Sequence, residues 1–360
     1  MKKFIALVLC VFSVAAVADL TVDQLIEQAR LVESPTSVEQ SERWQGAAKI
    51  VVWDRGIDLS AFRDDIEIVF VSSPEEAAEH VRDADALVGF CDQELIDAGK
   101  SLVWVQIYWA GVEDCLEVPA IASGDVVLSN MQKMSSPAIA EHAVAMLMAL
   151  SRKLPSYSRA MEDGNWLGWG TETASNMRPI AGQNLLVVGL GGIGSEVARL
   201  GSLLGMTVTG TRNSSRSGPP YVDYVGLSHE LFELAAQADV IVNALPLTDA
   251  TQDLFDADFF AAAKEGAIFV NVGRGASVVT ADLMAALDSG RISGAGLDVT
   301  NPEPLPQDHK LWQYDNVVIT PHVAGAGGTQ ERHAVLLQEN VRRYISGGKL
   351  LNVVDPEKGY

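Results

Sequence analysis

The sequence predicts an α/β protein built from two doubly wound parallel sheets. From Lys49 onward, short apolar runs alternate with helical stretches, and a second set with the same alternation begins at Asn184. Strands that alternate with helices form a parallel sheet covered by helices on its faces. The chain has 360 residues, of which 48% are hydrophobic, so it is long enough for two ordinary cores.

The first set has four apolar runs that are typical of buried strands. They are residues 50–53, 66–71, 86–88 and 103–108. A helix with proline in its first turn is predicted at 74–82, and a polar helical lead-in broken at Pro35 is predicted at 20–44. The apolar helix at 137–150 is shorter than the ~20 residues that a membrane span requires. We therefore expect it to be buried at the seam between two domains, with an irregular linker at 151–179.

The second set predicts six more strands and a return of the chain. The strands are residues 185–188, 207–209, 240–243, 267–272, 296–299 and 317–320. Helices are predicted between them, for example at 195–204 and 280–289. A last helix at 330–345 follows the final strand, and we expect it to return to the first domain.

Charge and the N-terminus limit the partners and the compartment. A formal net charge of −21 argues against nucleic acid, which is bound by basic patches. Lys2 and Lys3 precede an apolar run at 4–17 that ends in small residues, which predicts a signal peptide (residues 1–18) cleaved after Ala18. The mature chain is then exported to the periplasm without a membrane anchor. An uncleaved anchor, or a misassigned start and a cytoplasmic protein, are the alternatives.

The chain has three cysteines, and Cys10 would leave with the signal peptide. The spacing of Cys91 and Cys115 matches no metal or redox motif. An oxidising compartment could pair them, but we expect two free thiols packed as small apolar groups. No metal site is predicted.

A glycine turn follows the strand at 185–188. The segment Gly189-Leu190-Gly191-Gly192-Ile193-Gly194 is G-x-G-x-x-G with a strand before it and a helix after it. Glycine allows the tight turn, the approach of the backbone to a pyrophosphate, and close packing of helix on strand. This context predicts a dinucleotide bound by Gly189, Gly191, Gly192, Ile193 and Gly194, the alternative being an ordinary glycine-rich turn.

The segment after the second strand of this set predicts which cofactor is bound. NAD-specific sites carry an acid there for the ribose hydroxyl, but no acidic residue occurs between Glu196 and Asp223. Arg212, Asn213 and Ser214 instead offer a cation and polar groups for a 2′-phosphate. NADP is therefore the preferred cofactor, and NAD remains possible if the arginines of this segment are merely solvated.

Three side chains in the second half could transfer protons and bind an oxo acid. Arg274, Glu303 and His322 each follow a predicted strand, so they lie where open α/β sheets bind ligands. Arginine suits a carboxylate beside a carbonyl, and a charged histidine can protonate a developing alkoxide. A carboxylate against its second nitrogen favours the charged imidazole. Taken singly, each could be structural or solvated.

Together these segments resemble the D-isomer-specific 2-hydroxyacid dehydrogenase family. The markers, in family order, are Ala110-Gly111-Val112, Ala140-Glu141-His142, the glycine turn, Leu245-Pro246-Leu247-Thr248, Asn271 to Gly275, Leu297-Asp298-Val299 and Thr320-Pro321-His322. The resemblance implies a Rossmann cofactor domain inserted into a flavodoxin-like substrate domain, and usually a homodimer. The substrate domain is then 19–150, the cofactor domain 151–321, and 322–360 returns to the substrate domain.

The resemblance also implies roles for individual residues. Arg274 binds substrate, His322 is the acid/base, Glu303 orients it, and His142 is not catalytic. The backbone at Ala110, Gly111 and Val112 receives the substrate carboxylate. Further cofactor contacts are implied at Pro246, Thr251, Val272, Gly273 and Asp298.

The implied reaction is hydride transfer between NAD(P)H and a small 2-oxo acid, with glyoxylate or hydroxypyruvate favoured. Glu303 in place of glutamine disfavours formate. Glu113 and Asp114 stand where many relatives have an Asp-centred stretch, which leaves the exact substrate open. The rival hypothesis is a nicotinamide-binding sensor or co-repressor with little catalysis.

Overall fold

The computed structural model describes residues 20–213 and 215–359, and it contains two parallel sheets. The predicted α/β class with two doubly wound sheets is therefore confirmed. The predicted signal peptide, residues 1–18, lies outside the described residues.

The first sheet has five strands. They are β1 (Lys49–Trp53), β2 (Glu67–Val71), β3 (Ala86–Val88), β4 (Trp104–Gln106) and β5 (Val127–Ser129). Their order is β2-β1-β3-β4-β5, the flavodoxin-like order, and every pair is parallel. The sequence did not predict β5, because only three residues of it pair and one of these is a serine.

Short helices accompany this sheet. They are α1 (Val22–Ala29), α2 (Pro74–His80), α3 (Gln93–Ala98), α4 (Glu113–Leu116) and α5 (Pro119–Ala122). The predicted lead-in helix is shorter than expected: Thr21 and Gln24 form a capping box at its start, and Arg30 ends it in the left-handed conformation. Pro35 therefore lies beyond the helix and does not interrupt it.

The second sheet has seven strands. They are β6 (Asn184–Val188), β7 (Thr207–Arg212), β8 (Tyr224–Leu227), β9 (Val240–Asn243), β10 (Ala267–Asn271), β11 (Ile292–Leu297) and β12 (Val317–Ile319). The order β12-β11-β10-β9-β6-β7-β8 reverses between β6 and β9, as in a Rossmann sheet. The sequence did not predict β8, and it placed the start of β11 too late. Glycines 294 and 296 interrupt the apolar run of β11, because Leu150 and Met146 pack against the backbone there.

The remaining helices belong to the second half of the chain and to its connections. They are α6 (Ser136–Ser151), α7 (Leu154–Glu162), α8 (Glu172–Ser175), α9 (Gly192–Leu203), α10 (Leu231–Ala235), α11 (Ala257–Ala262), α12 (Thr280–Asp288) and α13 (Gln330–Ile345). The linker predicted to be irregular at 151–179 thus contains α7 and α8. No helix in the described ranges is long and apolar enough to cross a membrane.

The two longest helices, α6 and α13, pack against different sheets. Ala143, Met146 and Leu150 of α6 share a core with strands of the second sheet, although the predicted boundary at 150 groups this helix with the first. Conversely, Leu337 and Tyr344 of α13 lie in the core of the first sheet, where the sequence predicted that the last helix would pack.

The prediction of free thiols is wrong, because Cys91 and Cys115 form a disulfide. It joins the loop after β3 to α4, and the two Cα atoms lie 5.3 Å apart, within the range that a disulfide spans. The sequence separation of 24 residues carries no sign of this proximity, which arises only when β3 and β4 lie side by side.

Candidate active site

The glycine turn lies at the carboxyl end of β6, where the strand order reverses. Gly189 has a left-handed φ of 94°, and a Cβ on Gly194 would lie 1.9 Å from the Gly189 carbonyl oxygen. A Cβ on Gly191 would meet nothing within 4 Å, so this side of the turn is open. Helix α9 starts at Gly192 with its first N–H groups free of intrahelical partners. This open, electropositive cradle fits a pyrophosphate.

Arg212 ends β7 beside this turn, as predicted. Its Nη2 donates to the Leu190 carbonyl oxygen at 2.9 Å, and its buried Nε has no partner among the described residues. Asn213 is exposed just past the strand, and Ser214 lies outside the described residues. Arg216 is engaged elsewhere, since its Nη2 lies 2.8 Å from Glu230. Among the described residues of this segment, Arg212 is therefore the cation that lies beside the glycine turn.

His322, the predicted acid/base, lies in contact with Glu303. His322 Nδ1 lies 2.7 Å from Glu303 Oε1, and both side chains are about half exposed. His322 Nε2 has no hydrogen-bond partner among the described residues. The residue has a left-handed φ of 54°, and its N–H donates to the Asp298 carbonyl oxygen at 2.7 Å. The backbone thus holds the imidazole at the carboxyl edge of the second sheet with one nitrogen available.

Arg274 reaches from the second sheet to the first. Its Nε donates to Glu113 Oε1 at 2.9 Å, and its Nη1 donates to the Gly273 carbonyl oxygen at 2.9 Å. A Cβ on Gly111 would lie 2.3 Å from Arg274 Nη2. The structure therefore brings together Arg274 and the loop at 110–112, as the sequence predicted.

The loop at 110–112 offers free donors. The N–H groups of Ala110, Gly111 and Val112 have no hydrogen-bond partner within the described part of the chain. Asn130 holds the loop by donating from Nδ2 to the Ala110 carbonyl oxygen at 2.8 Å. Three unpaired N–H groups beside a guanidinium form a site for a carboxylate.

Tyr108, just before this loop, is directed away from it. Its hydroxyl donates to the Trp53 carbonyl oxygen at 2.9 Å, and burial raises the pKa of that hydroxyl well above its usual value. Tyr108 is therefore a packing residue that stays neutral.

Asp298 is buried beneath the histidine segment. Its Oδ1 accepts hydrogen bonds from the Thr320 hydroxyl at 2.6 Å and from the Val323 and Ala324 N–H groups at 3.0 and 3.1 Å. The implied contact of Asp298 with the cofactor stays a prediction, while these bonds give Asp298 a role in fixing residues 320–324. His142 Nε2 lies 2.9 Å from the Thr320 hydroxyl, apart from the acid/base pair.

The other predicted cofactor residues lie on the same edge of the sheet. A Cβ on Gly273 would lie 2.7 Å from the Leu245 carbonyl oxygen, which places Val272 and Gly273 against the segment after β9. In that segment the Thr251 hydroxyl donates to the Pro246 carbonyl oxygen at 2.7 Å and closes a turn.

Sequence reasoning missed two residues beside the glycine turn. A Cβ on Gly192 would lie 2.7 Å from Ser136 Oγ and 2.8 Å from Lys133 Cγ. Ser136 Oγ is buried without a partner among the described residues, and burial lowers the pKa of Lys133. Lys133 precedes α6 and Ser136 is its first residue, and both are far from the turn in sequence, so no local pattern connects them with it.

The glycine cradle and the His322–Glu303 pair share one sheet edge and face donors that belong to the other sheet. This organisation is that of a two-domain, dinucleotide-dependent oxidoreductase. Comparison with known families gives the same result, because residues 144–324 match the family described as D-isomer specific 2-hydroxyacid dehydrogenase, NAD binding domain. The chain belongs to the D-isomer specific 2-hydroxyacid dehydrogenase family, and the predicted resemblance is confirmed.

Named relatives and solved structures extend the match. The chain is 34% identical to a human glyoxylate reductase/hydroxypyruvate reductase over 69% of this chain and 76% of the human protein. It is similar to the structure of a Xanthobacter autotrophicus family member in complex with NADPH and MES. The TM-score is 0.73 and the identity is 28%, over 88% of this chain and 99% of the Xanthobacter chain. The chain is also similar to the structure of an NADPH-dependent glyoxylate/hydroxypyruvate reductase of Sinorhizobium meliloti in complex with NADP and sulfate. The TM-score is 0.73 and the identity is 26%, over 87% of this chain and 100% of the Sinorhizobium chain.

The family membership settles the general activity. The protein is an NAD(P)-dependent D-2-hydroxyacid dehydrogenase or reductase that acts on small 2-oxo or 2-hydroxy acids. The rival hypothesis of a sensor is not favoured.

Proposed function

We propose that the protein reduces glyoxylate or hydroxypyruvate with NADPH, using Arg274, Glu303 and His322. The observation that carries this proposal is the 2.7 Å contact between His322 Nδ1 and Glu303 Oε1, which leaves Nε2 available. The glyoxylate and hydroxypyruvate reductases among the relatives support the choice of substrate.

Each side chain has a definite task in this reaction. The N–H groups at 110–112 and the free Nη edge of Arg274 receive the carboxylate and polarise the carbonyl. The glycine turn at Gly189 to Gly194 would hold the dinucleotide, whose nicotinamide would supply the hydride for the carbonyl carbon. His322 Nε2 gives a proton to the oxygen as it becomes an alkoxide, and Glu303 stabilises the charged imidazole beforehand.

A substrate screen tests the proposal. NADPH oxidation by the purified protein should give higher kcat/KM with glyoxylate or hydroxypyruvate than with pyruvate. No turnover with any 2-oxo acid would overturn the proposal and favour the sensor.

The preference for NADP rests on Arg212. Its guanidinium adjoins the glycine turn at Leu190, and no acid stands nearby in sequence to repel a 2′-phosphate. Arg212→Asp should shift the ratio of kcat/KM for NADPH over NADH toward NADH by at least about tenfold, since it replaces an attraction by a repulsion. An unchanged ratio would mean that another group binds the phosphate.

A homodimer is supported by one exposed apolar segment. Met148, Leu154, Met161, Trp166 and Trp169 are between 43% and 98% exposed in the structure. A concentration of large exposed apolar side chains in one segment is typical of a surface that another protein molecule covers. Light scattering should give the mass of a dimer, and Trp166→Ser with Trp169→Ser should weaken it; a monomeric wild type would contradict this proposal.

Export is supported by the predicted signal peptide and by the Cys91–Cys115 disulfide, because disulfides persist in oxidising compartments. Cell fractionation with N-terminal sequencing tests it. A mature start at Asp19 is expected, and an intact Met1 in the cytosol would favour the cytoplasmic alternative.

A further inference from the structure

Glu113 belongs to the first sheet yet contacts the substrate-binding arginine of the second. Its Oε1 accepts the Nε hydrogen of Arg274 at 2.9 Å, and its side chain is 37% exposed. A Cβ on Gly111 would lie 2.7 Å from Glu113 Oε2, so the second oxygen lies beside the loop with the free N–H groups. Oε2 itself has no hydrogen-bond partner among the described residues.

This contact changes what Arg274 can offer. Its Nε is taken by Glu113, and one Nη1 hydrogen is taken by the Gly273 carbonyl oxygen. The Nη2 end, which lies against Gly111, is left for a ligand. A planar guanidinium held at two points presents that edge in one orientation.

The contact also sets the charge of the site. The charge of Arg274 is already matched by Glu113, and His322 lies beside a second carboxylate, Glu303. A substrate with one carboxylate adds a negative charge to a site that already holds these two carboxylates. A substrate with two carboxylates adds one more, and like charges brought together repel each other.

We infer that Glu113 is a positioning and charge-selecting residue, which orients Arg274 and restricts turnover to 2-oxo acids with a single carboxylate. This inference rests on the proposed function of the same site. It adds a basis for substrate selection that acts through charge, separately from the size of the substrate.

The test compares oxaloacetate, which has two carboxylates, with hydroxypyruvate, which extends a single carboxylate by an uncharged group. In Glu113→Gln the ratio of kcat/KM for oxaloacetate over hydroxypyruvate should rise about tenfold or more, because a repulsive charge is removed. A general loss of structure would lower both values together and leave this ratio unchanged.

Asp114→Asn is the matched control. It removes the same charge from the neighbouring, exposed residue, which does not contact Arg274. The control should keep the wild-type ratio. A ratio in Glu113→Gln within twofold of the wild type, or an equal rise in Asp114→Asn, would overturn the inference.

The two hypotheses can fail separately. If the wild type reduces none of the acids, the proposed function fails, and calorimetric binding of oxaloacetate and hydroxypyruvate to the NADPH complex then decides the inference. Preferential gain of oxaloacetate binding in Glu113→Gln would still support charge selection, and equal binding changes would overturn it.

Discussion

At the scale of single residues, the site depends on side chains fixed by more than one contact. Arg274 is held by Glu113 and by the Gly273 carbonyl oxygen, and His322 is held by Glu303 and through its own N–H. Such fixing matters because catalytic groups act through geometry that exists before the substrate arrives. The roles of these groups can therefore be separated by substitution.

Arg274→Ala should raise KM for the 2-oxo acid and lower kcat/KM by roughly a hundredfold or more, because the truncated residue loses a charged contact to substrate. NADPH binding, followed by fluorescence, should stay nearly intact. Arg274→Lys keeps the charge without the planar fork and should recover only part of the activity. Lost NADPH binding in Arg274→Ala would contradict the assigned role.

Glu303→Gln should lower kcat for reduction by roughly a hundredfold, because the amide no longer favours a charged imidazole. Steady-state kinetics measures this effect. An unchanged kcat in Glu303→Gln would show that Glu303 does not act through His322.

The sequence predicted these groups better than it predicted their neighbours. Arg274, Glu303 and His322 follow strands, and parallel strands gather their carboxyl ends at one edge, so their convergence follows from the pattern. Glu113 and Ser136 come from other parts of the chain. Their proximity depends on how the two sheets pack, which no local periodicity records.

At the scale of elements, the disulfide ties the loop after β3 to α4, the helix that starts with Glu113. Helix α4 has four residues, too few to be stable without tertiary contacts. The crosslink therefore anchors both Glu113 and the preceding substrate loop.

Reduction of this disulfide, or Cys91→Ser with Cys115→Ser, should raise KM for the 2-oxo acid several-fold and leave Kd for NADPH unchanged, since the glycine turn lies in the other sheet. Kinetics with and without a thiol reductant measures the effect, and reductant added to the double variant is the control. A change in NADPH affinity would mean that the crosslink supports the whole fold and not the loop.

The same scale explains which elements the sequence could not predict. Strand β8 follows a polar segment and is bounded by Tyr224, which is exposed and hydrogen-bonded to Glu230. Strand β11 contains glycines because helix α6 packs closely on it. Both depend on tertiary contacts, whereas long apolar runs such as β1 and β10 are predicted from their composition alone.

At the scale of the whole molecule, the active site lies between two sheets that the chain connects by long helices. Helix α6 packs on the second sheet and α13 on the first, so the first sheet depends on a segment that is distant in sequence. The two doubly wound parallel sheets followed from the alternating pattern and the family resemblance. The packing of α6 on the second sheet could not be predicted, because the surface of this helix is apolar on nearly all sides and fits either core.

The most direct test of this account is a crystal structure of the complex with NADP and oxamate, an unreactive analogue of a 2-oxo acid. The account predicts that the carboxylate of oxamate contacts the N–H groups at 110–112 and the Nη edge of Arg274, with His322 Nε2 within hydrogen-bond distance of its amide oxygen. Oxamate bound elsewhere, or the nicotinamide ring turned away from His322, would contradict it.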